Sequence, residues 1–236
     1  MTERTVSRRL ARRLACHQAL FDPVREPRNR LRWLPELRRW QAQRLRESFA
    51  RFLKDPSRRP AAEFFLTDVY GDHDFSRRDA DIARVLPAMQ RLLPGALLQT
   101  VADAIELGAL TQAFDLRMAE ILQRLAPRRR TLDLALYAQA YRDCGLPRLR
   151  ARQIALIADV GNGLANALRM PGVATLLRLS RMPARAAGLS ELQGFLERGF
   201  DAFAALGDAP RFVEEIRREE IEFSRSLFAA GSRSFP

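Results

Sequence analysis

Lysine is almost absent: of 40 basic residues only Lys54 is one, and the rest are arginine. Codon drift in a GC-rich genome produces such a skew, so arginine abundance by itself is weak evidence for a nucleic-acid partner. Histidine is nearly as scarce, with His17 and His73 alone. General acid–base chemistry near neutral pH would therefore fall to carboxylates. The two cysteines, Cys16 and Cys144, give neither a disulfide framework nor a metal-type spacing, which suits a reducing cytoplasm. No run approaches the ~18 apolar residues of a membrane span. The basic start, MTERTVSRRLARRLACHQALF, lacks the apolar stretch of a secretory signal. There is no Gly-x-Gly-x-x-Gly, no Walker lysine loop, no His-Glu-x-x-His and no Gly-x-Ser-x-Gly, and no alternating strand pattern.

Apolar residues make up 47% of the 236, enough for a sizeable core. The net charge is +12, and its placement is uneven. Residues 1–60 hold 17 basic and 6 acidic groups, whereas residues 61–236 hold 23 and 22.

Helical periodicity runs through almost the whole chain. It predicts helices over about 5–20, 35–54, 61–70, 76–93, 95–125, 132–143, 148–169, 173–180, 190–206 and 210–229. Two prolines in FDPVREPRNR break the first from the second, and Gly71 ends the third. Ser76 with Asp79, and Ser190 with Gln193, have the spacing of capping boxes. Pro87 falls inside its helix, and the glycines of Gly161-Asn162-Gly163 inside another, where they permit close helix approach or a break. The expected fold is all-α, a single irregular or orthogonal bundle of about nine helices. Residues 60–236 form its core domain, and residues 1–59 a basic helical region packing on it or extending from it.

The stretch EFFLTDVYGDHDFSRRDAD, residues 63–81, concentrates carboxylates and a histidine around one glycine. Asp72, His73 and Asp74 are candidate metal ligands, and Asp68 and His73, with Asp103 and Glu106 further on, are candidate catalytic groups. The spacing fits neither a Ca²⁺ loop, which needs a central Gly and a closing Glu, nor a di-iron site, which needs Glu-x-x-His pairs. The favoured reading is a structural loop. In it Tyr70, Gly71, Phe75, Ser76, Arg78 and Asp79 end one helix and start the next, while Phe64, Phe65 and Leu66 pin the loop to the body. Asp103 and Glu106 are three apart and share a helical face, where they are expected to meet arginines from another helix. Tyr137 and Tyr141 read as core packing, and nothing places a base beside Cys144.

The basic first quarter offers Arg8, Arg9, Arg12, Arg13, Arg38 and Arg39 as anion or nucleic-acid contacts, interleaved with Trp33 and Trp40. Its competing readings are an anionic membrane surface and, favoured over both, a solvated face whose arginine stems cover an apolar helix.

The phrases FFLTDVYGDHDFSRRDADIARVLP, AGLSELQGFLERGFDAF and FVEEIRREE resemble an uncharacterised family of proteobacterial all-helical proteins with an FFL-x-D-x-Y-G…DF-x-x-RD-x-D core. The resemblance covers about residues 60–228. It implies a bacterial cytoplasmic protein whose first quarter lies outside the shared core, and it carries no activity or cofactor. The sequence therefore favours a non-enzymatic helical protein that binds a protein partner or itself, in regulation or assembly. No cofactor is expected. The alternatives are a metal- or cofactor-dependent enzyme built around Asp68–Asp74 and a nucleic-acid-associated protein.

Overall fold

A computed structural model describes residues 3–69 and 76–229. Among them there are helices and no strands: twelve helices are of α type, nine of which have seven or more residues. In chain order they are α1 (Glu3–Phe21), α2 (Trp33–Ser48), α3 (Ala50–Lys54), α4 (Arg59–Phe64), α5 (Ser76–Leu92), α6 (Gly95–Leu125), α7 (Leu134–Cys144), α8 (Pro147–Arg169), α9 (Val173–Leu179), α10 (Arg181–Ala186), α11 (Ser190–Ala204) and α12 (Ala209–Ala229). A 3₁₀ turn at Pro27–Arg30 precedes α2, and a π-helical turn at Phe65–Val69 follows α4.

The 31 residues of α6 form a rod roughly 46 Å long. Helices α1, α2, α7 and α8 pack along it, and α12 packs across α8 and α7. One core cluster joins Trp33, Leu37, Phe114, Leu116, Met118, Leu122, Tyr137, Tyr141 and Cys144. A second is aromatic, with Phe49, Phe52, Phe65, Phe203 and Phe212 meeting mostly edge-on or tilted. A third holds α1 to the start of α6 through Leu10, Leu14, Leu98, Ala102 and Ile105.

The single helix expected over 35–54 is in fact two. The backbone of Phe49 departs from helical geometry (φ −86°, ψ 0°), and both Phe49 and Phe52 are buried in the aromatic cluster. Packing overrides a continuous helical pattern here. The helix expected over 61–70 starts earlier, at Arg59 with Pro60 in its first turn, and widens into the π turn. Within α8 the glycines are required by closeness. A Cβ on Gly161 would lie 2.6 Å from Val213 Cγ2 of α12, and one on Gly163 would run into Thr100 of α6.

Candidate functional site

Three of the carboxylates singled out in the sequence, Asp68, Asp103 and Glu106, are held by arginines. Arg13 of α1 donates to Asp103 at 3.1 Å and pairs with Glu106. Arg152 of α8 pairs with Glu106 at 3.0 Å, with Asp103 at 3.8 Å and with Asp159 at 3.2 Å. Gln99 adds a hydrogen bond to Asp103 at 2.9 Å. The i, i+3 spacing thus places two acids where guanidinium groups from both flanking helices converge, as the sequence led us to expect. Asp68, in the π turn, accepts two hydrogen bonds from Arg198 of α11 (2.9 and 2.5 Å) and one from Thr67. It shares none of these partners with Asp103 or Glu106. Asp72, His73, Asp74, Tyr70, Gly71 and Phe75 lie outside the described residues, as do the side chains of Ser76, Arg78 and Asp79. Among the described residues, no three of His, Cys, Asp and Glu come together as a metal site needs.

Three arginines of the basic first quarter are neutralised by α12, whose acidic residues recur one turn apart. Arg44 forms a forked pair with Glu220. Arg51 reaches Glu215 at 3.3 Å and also pairs with Glu219, and Arg58 reaches Glu215 at 3.0 Å. Burial works upward on the Glu215 carboxyl, yet Arg58, Arg211 and Arg51 together leave it below the usual range. Arg38 donates to Gln112 at 2.6 Å and lies 3.8 Å from Asp115, and Arg39 pairs with Glu36. Of the six arginines considered as anion contacts, Arg13, Arg38 and Arg39 are therefore engaged internally. Arg12 is exposed, and the side chains of Arg8 and Arg9 lie outside the described residues. Pairing across the fold between residues so far apart leaves no local signature, so the sequence did not disclose it.

Beneath these pairs lies a buried polar group. Burial pushes the Asp115 carboxyl up against the opposing pull of Arg38, Gln41 and Arg150. The same effect moves the Tyr137 hydroxyl to about 12 and raises the Cys144 thiol, which leaves that cysteine protonated and inert. Tyr137 stacks on Trp40 with centroids 4.0 Å apart, and the Tyr141 hydroxyl meets Ser224 at 2.8 Å.

The sequence predicts α9, as a helix over 173–180, but neither α10 nor the arm that the two form together. Neither helix has a buried residue. Leu179 and Met182 are 71% and 72% exposed, and Leu176 of α9 and Leu196 of the neighbouring α11 are exposed as well. The arm is tied down by Gln193. Its amide donates to the Leu177 carbonyl at 2.8 Å and its oxygen accepts from Ser180 at 3.0 Å. The capping box expected of Ser190 and Gln193 is thus not formed: α11 has no side-chain cap, because its glutamine is spent on the arm. From residue 160 to residue 190 the chain carries no acid and four arginines: Arg169, Arg178, Arg181 and Arg185.

These features define an all-α protein with guanidinium-neutralised carboxylates and an apolar, basic arm. The chain belongs to the family described as Domain of unknown function (DUF8198), whose model matches residues 20–234. That span takes in α2, α3 and α4 as well, so the family region begins well before residue 60. No curated protein and no solved structure matches the chain.

Proposed function

We propose that this chain is a non-catalytic, cytoplasmic bacterial protein that binds a protein partner, and that the α9–α10 arm is its docking surface. The observation that carries the reading is the coincidence of large exposed apolar side chains with an acid-free, arginine-bearing stretch. Leu176, Leu179 and Met182 offer an apolar strip, with methionine adding the adaptability common at binding surfaces. Arg169 and Arg178 are exposed, and no carboxylate pairs with them among the described residues, while Arg185 is exposed beside Glu197. The partner this chemistry fits is an amphipathic helix with apolar anchors and a fringe of Asp and Glu. An arm of two helices of seven and six residues presents too little apolar area to hold a membrane surface by itself.

The test uses the full chain and two synthetic helical peptides with the same leucine positions, one glutamate-fringed and one lysine-fringed. The acidic peptide should bind in a salt-dependent manner, and Leu179→Asp with Met182→Asp should abolish binding while leaving the circular dichroism unchanged. Equal binding of both peptides, or binding to phosphatidylglycerol vesicles in place of the acidic peptide, would contradict the reading.

A further inference from the structure

A second charged surface lies at the opposite end of the sequence's basic inventory. A shallow cleft of about 200 Å³ opens where α2 begins, lined by Arg32, Trp33, Pro35, Glu36, Arg39, Arg129 and Arg130. It is built by two long-range contacts. Arg32 donates to the Pro127 carbonyl at 2.8 Å, and the Glu36 carboxylate accepts from the Leu132 amide at 3.4 Å. These tie the loop after α6 to the first turn of α2 and hold four guanidinium groups around one hollow.

Their charges are not evenly cancelled. Arg39 is matched by Glu36, and Arg129 by Asp133 at 2.5 Å. Arg32 and Arg130 have no carboxylate partner among the described residues. Arg32 instead lies over the Trp33 ring, 5.5 Å from its centroid. Trp33 is 1% exposed, and its indole N–H has no hydrogen-bond partner among the described residues. Trp33 also lines the cleft, so its indole reports on whatever the hollow holds. The cleft also sits at the positive end of the 16-residue α2, whose first turn has no side-chain cap.

We propose that this cleft binds the phosphate group of a small molecule. Two unmatched guanidinium groups balance a dianion, and donors approaching from α2 and from the loop suit a tetrahedral set of oxygens better than the planar carboxylate. A polyanion is disfavoured. It needs a run of free cations to follow its backbone, and most arginines of the first quarter that the structure describes are committed to α12, α6 and their own helix.

The two tryptophans allow a local readout. Inorganic phosphate is titrated into the full chain while the indole N–H resonances of Trp33 and Trp40 are followed, with chloride at matched ionic strength as control. Phosphate should shift the Trp33 resonance saturably, and chloride should not. Arg32→Ala and Arg130→Ala should each weaken the affinity about tenfold, as expected for loss of one charge-assisted hydrogen bond. Arg46→Ala, which removes an exposed charge elsewhere on α2, should leave it unchanged. The proposal fails if phosphate leaves Trp33 unmoved or if chloride reproduces the shift. It also fails if Arg46→Ala weakens binding as much as the other two, or if single-stranded RNA binds here and phosphate does not.

Discussion

The guanidinium carbon of Arg150 sits 3.6 Å from the centroid of the Phe114 ring and 4.5 Å from that of the Tyr141 ring. Arg150 is only 5% exposed. Its Nη groups donate to Gln153 and to the Met118 sulfur, both at 3.1 Å, while its Nε has no hydrogen-bond partner. Aromatic faces stand here where water or a carboxylate would otherwise solvate the cation. Most of the side chain's worth to the fold is then the packing of its stem and plane. Arg150→Ala should cost about 3 kcal/mol in urea unfolding, and Arg150→Met about 2 kcal/mol less than that. Equal losses in the two variants would show that charge, not volume, is what the site requires.

Asp115 makes a pH prediction. Its carboxyl is raised above 3.8 chiefly by burial, so between that value and its higher folded value the native state binds more protons than the unfolded chain. Stability from this group is fully present below 3.8 and is lost as pH rises through the folded value. Asp115→Asn should flatten that fall, so that the variant gains on the wild type as pH rises through this window. Urea midpoints measured across the window check it. A variant whose curve runs parallel to the wild type's would be inconsistent with the burial-driven shift.

Gly161→Ala and Gly163→Ala each push a methyl group into a neighbouring helix, Val213 of α12 and Thr100 of α6 respectively. Thermal or urea unfolding should show a loss of about 1–3 kcal/mol for each. Shortening Val213 to Ala should restore much of the loss at Gly161 and none at Gly163, since the obstructing atoms differ. Rescue of both, or of neither, would contradict the packing described.

Gln193 anchors the arm, and its removal should loosen α9 and α10 without melting the bundle. In Gln193→Ala, amide hydrogen exchange over residues 173–186 should quicken markedly while global stability falls by about 1 kcal/mol. An unchanged exchange pattern in the arm would mean that these bonds do not hold it.

How much of this was legible beforehand depended on sequence separation. The bounds of α6 are those its apolar pattern and Gly95 predict, and the pairing of Asp103 and Glu106 with arginines follows from i, i+3 spacing beside a basic helix. The closeness demanded by Gly161 and Gly163 was likewise readable from small residues in an apolar helix. What local pattern did not reveal was set at long range. Phe49 breaks its helix to join an aromatic cluster drawn from α3, the π turn, α11 and α12. Gln193 serves α9 rather than its own helix end. Helix α10 is six residues around Pro183, too short for periodicity to register. The ion pairs between α2 or α3 and α12, those of Arg44 and Arg51, join residues some 160 to 180 apart in the chain, which no spacing rule detects.

The account rests most heavily on the arm as a docking surface, and its most direct test is hydrogen–deuterium exchange of the full chain with and without the glutamate-fringed peptide. Protection confined to residues 173–186 and the facing turns of α11, and absent in the Leu179→Asp, Met182→Asp variant, is the predicted result. Protection centred instead on α2 and the loop after α6, or no protection at saturating peptide, would contradict it.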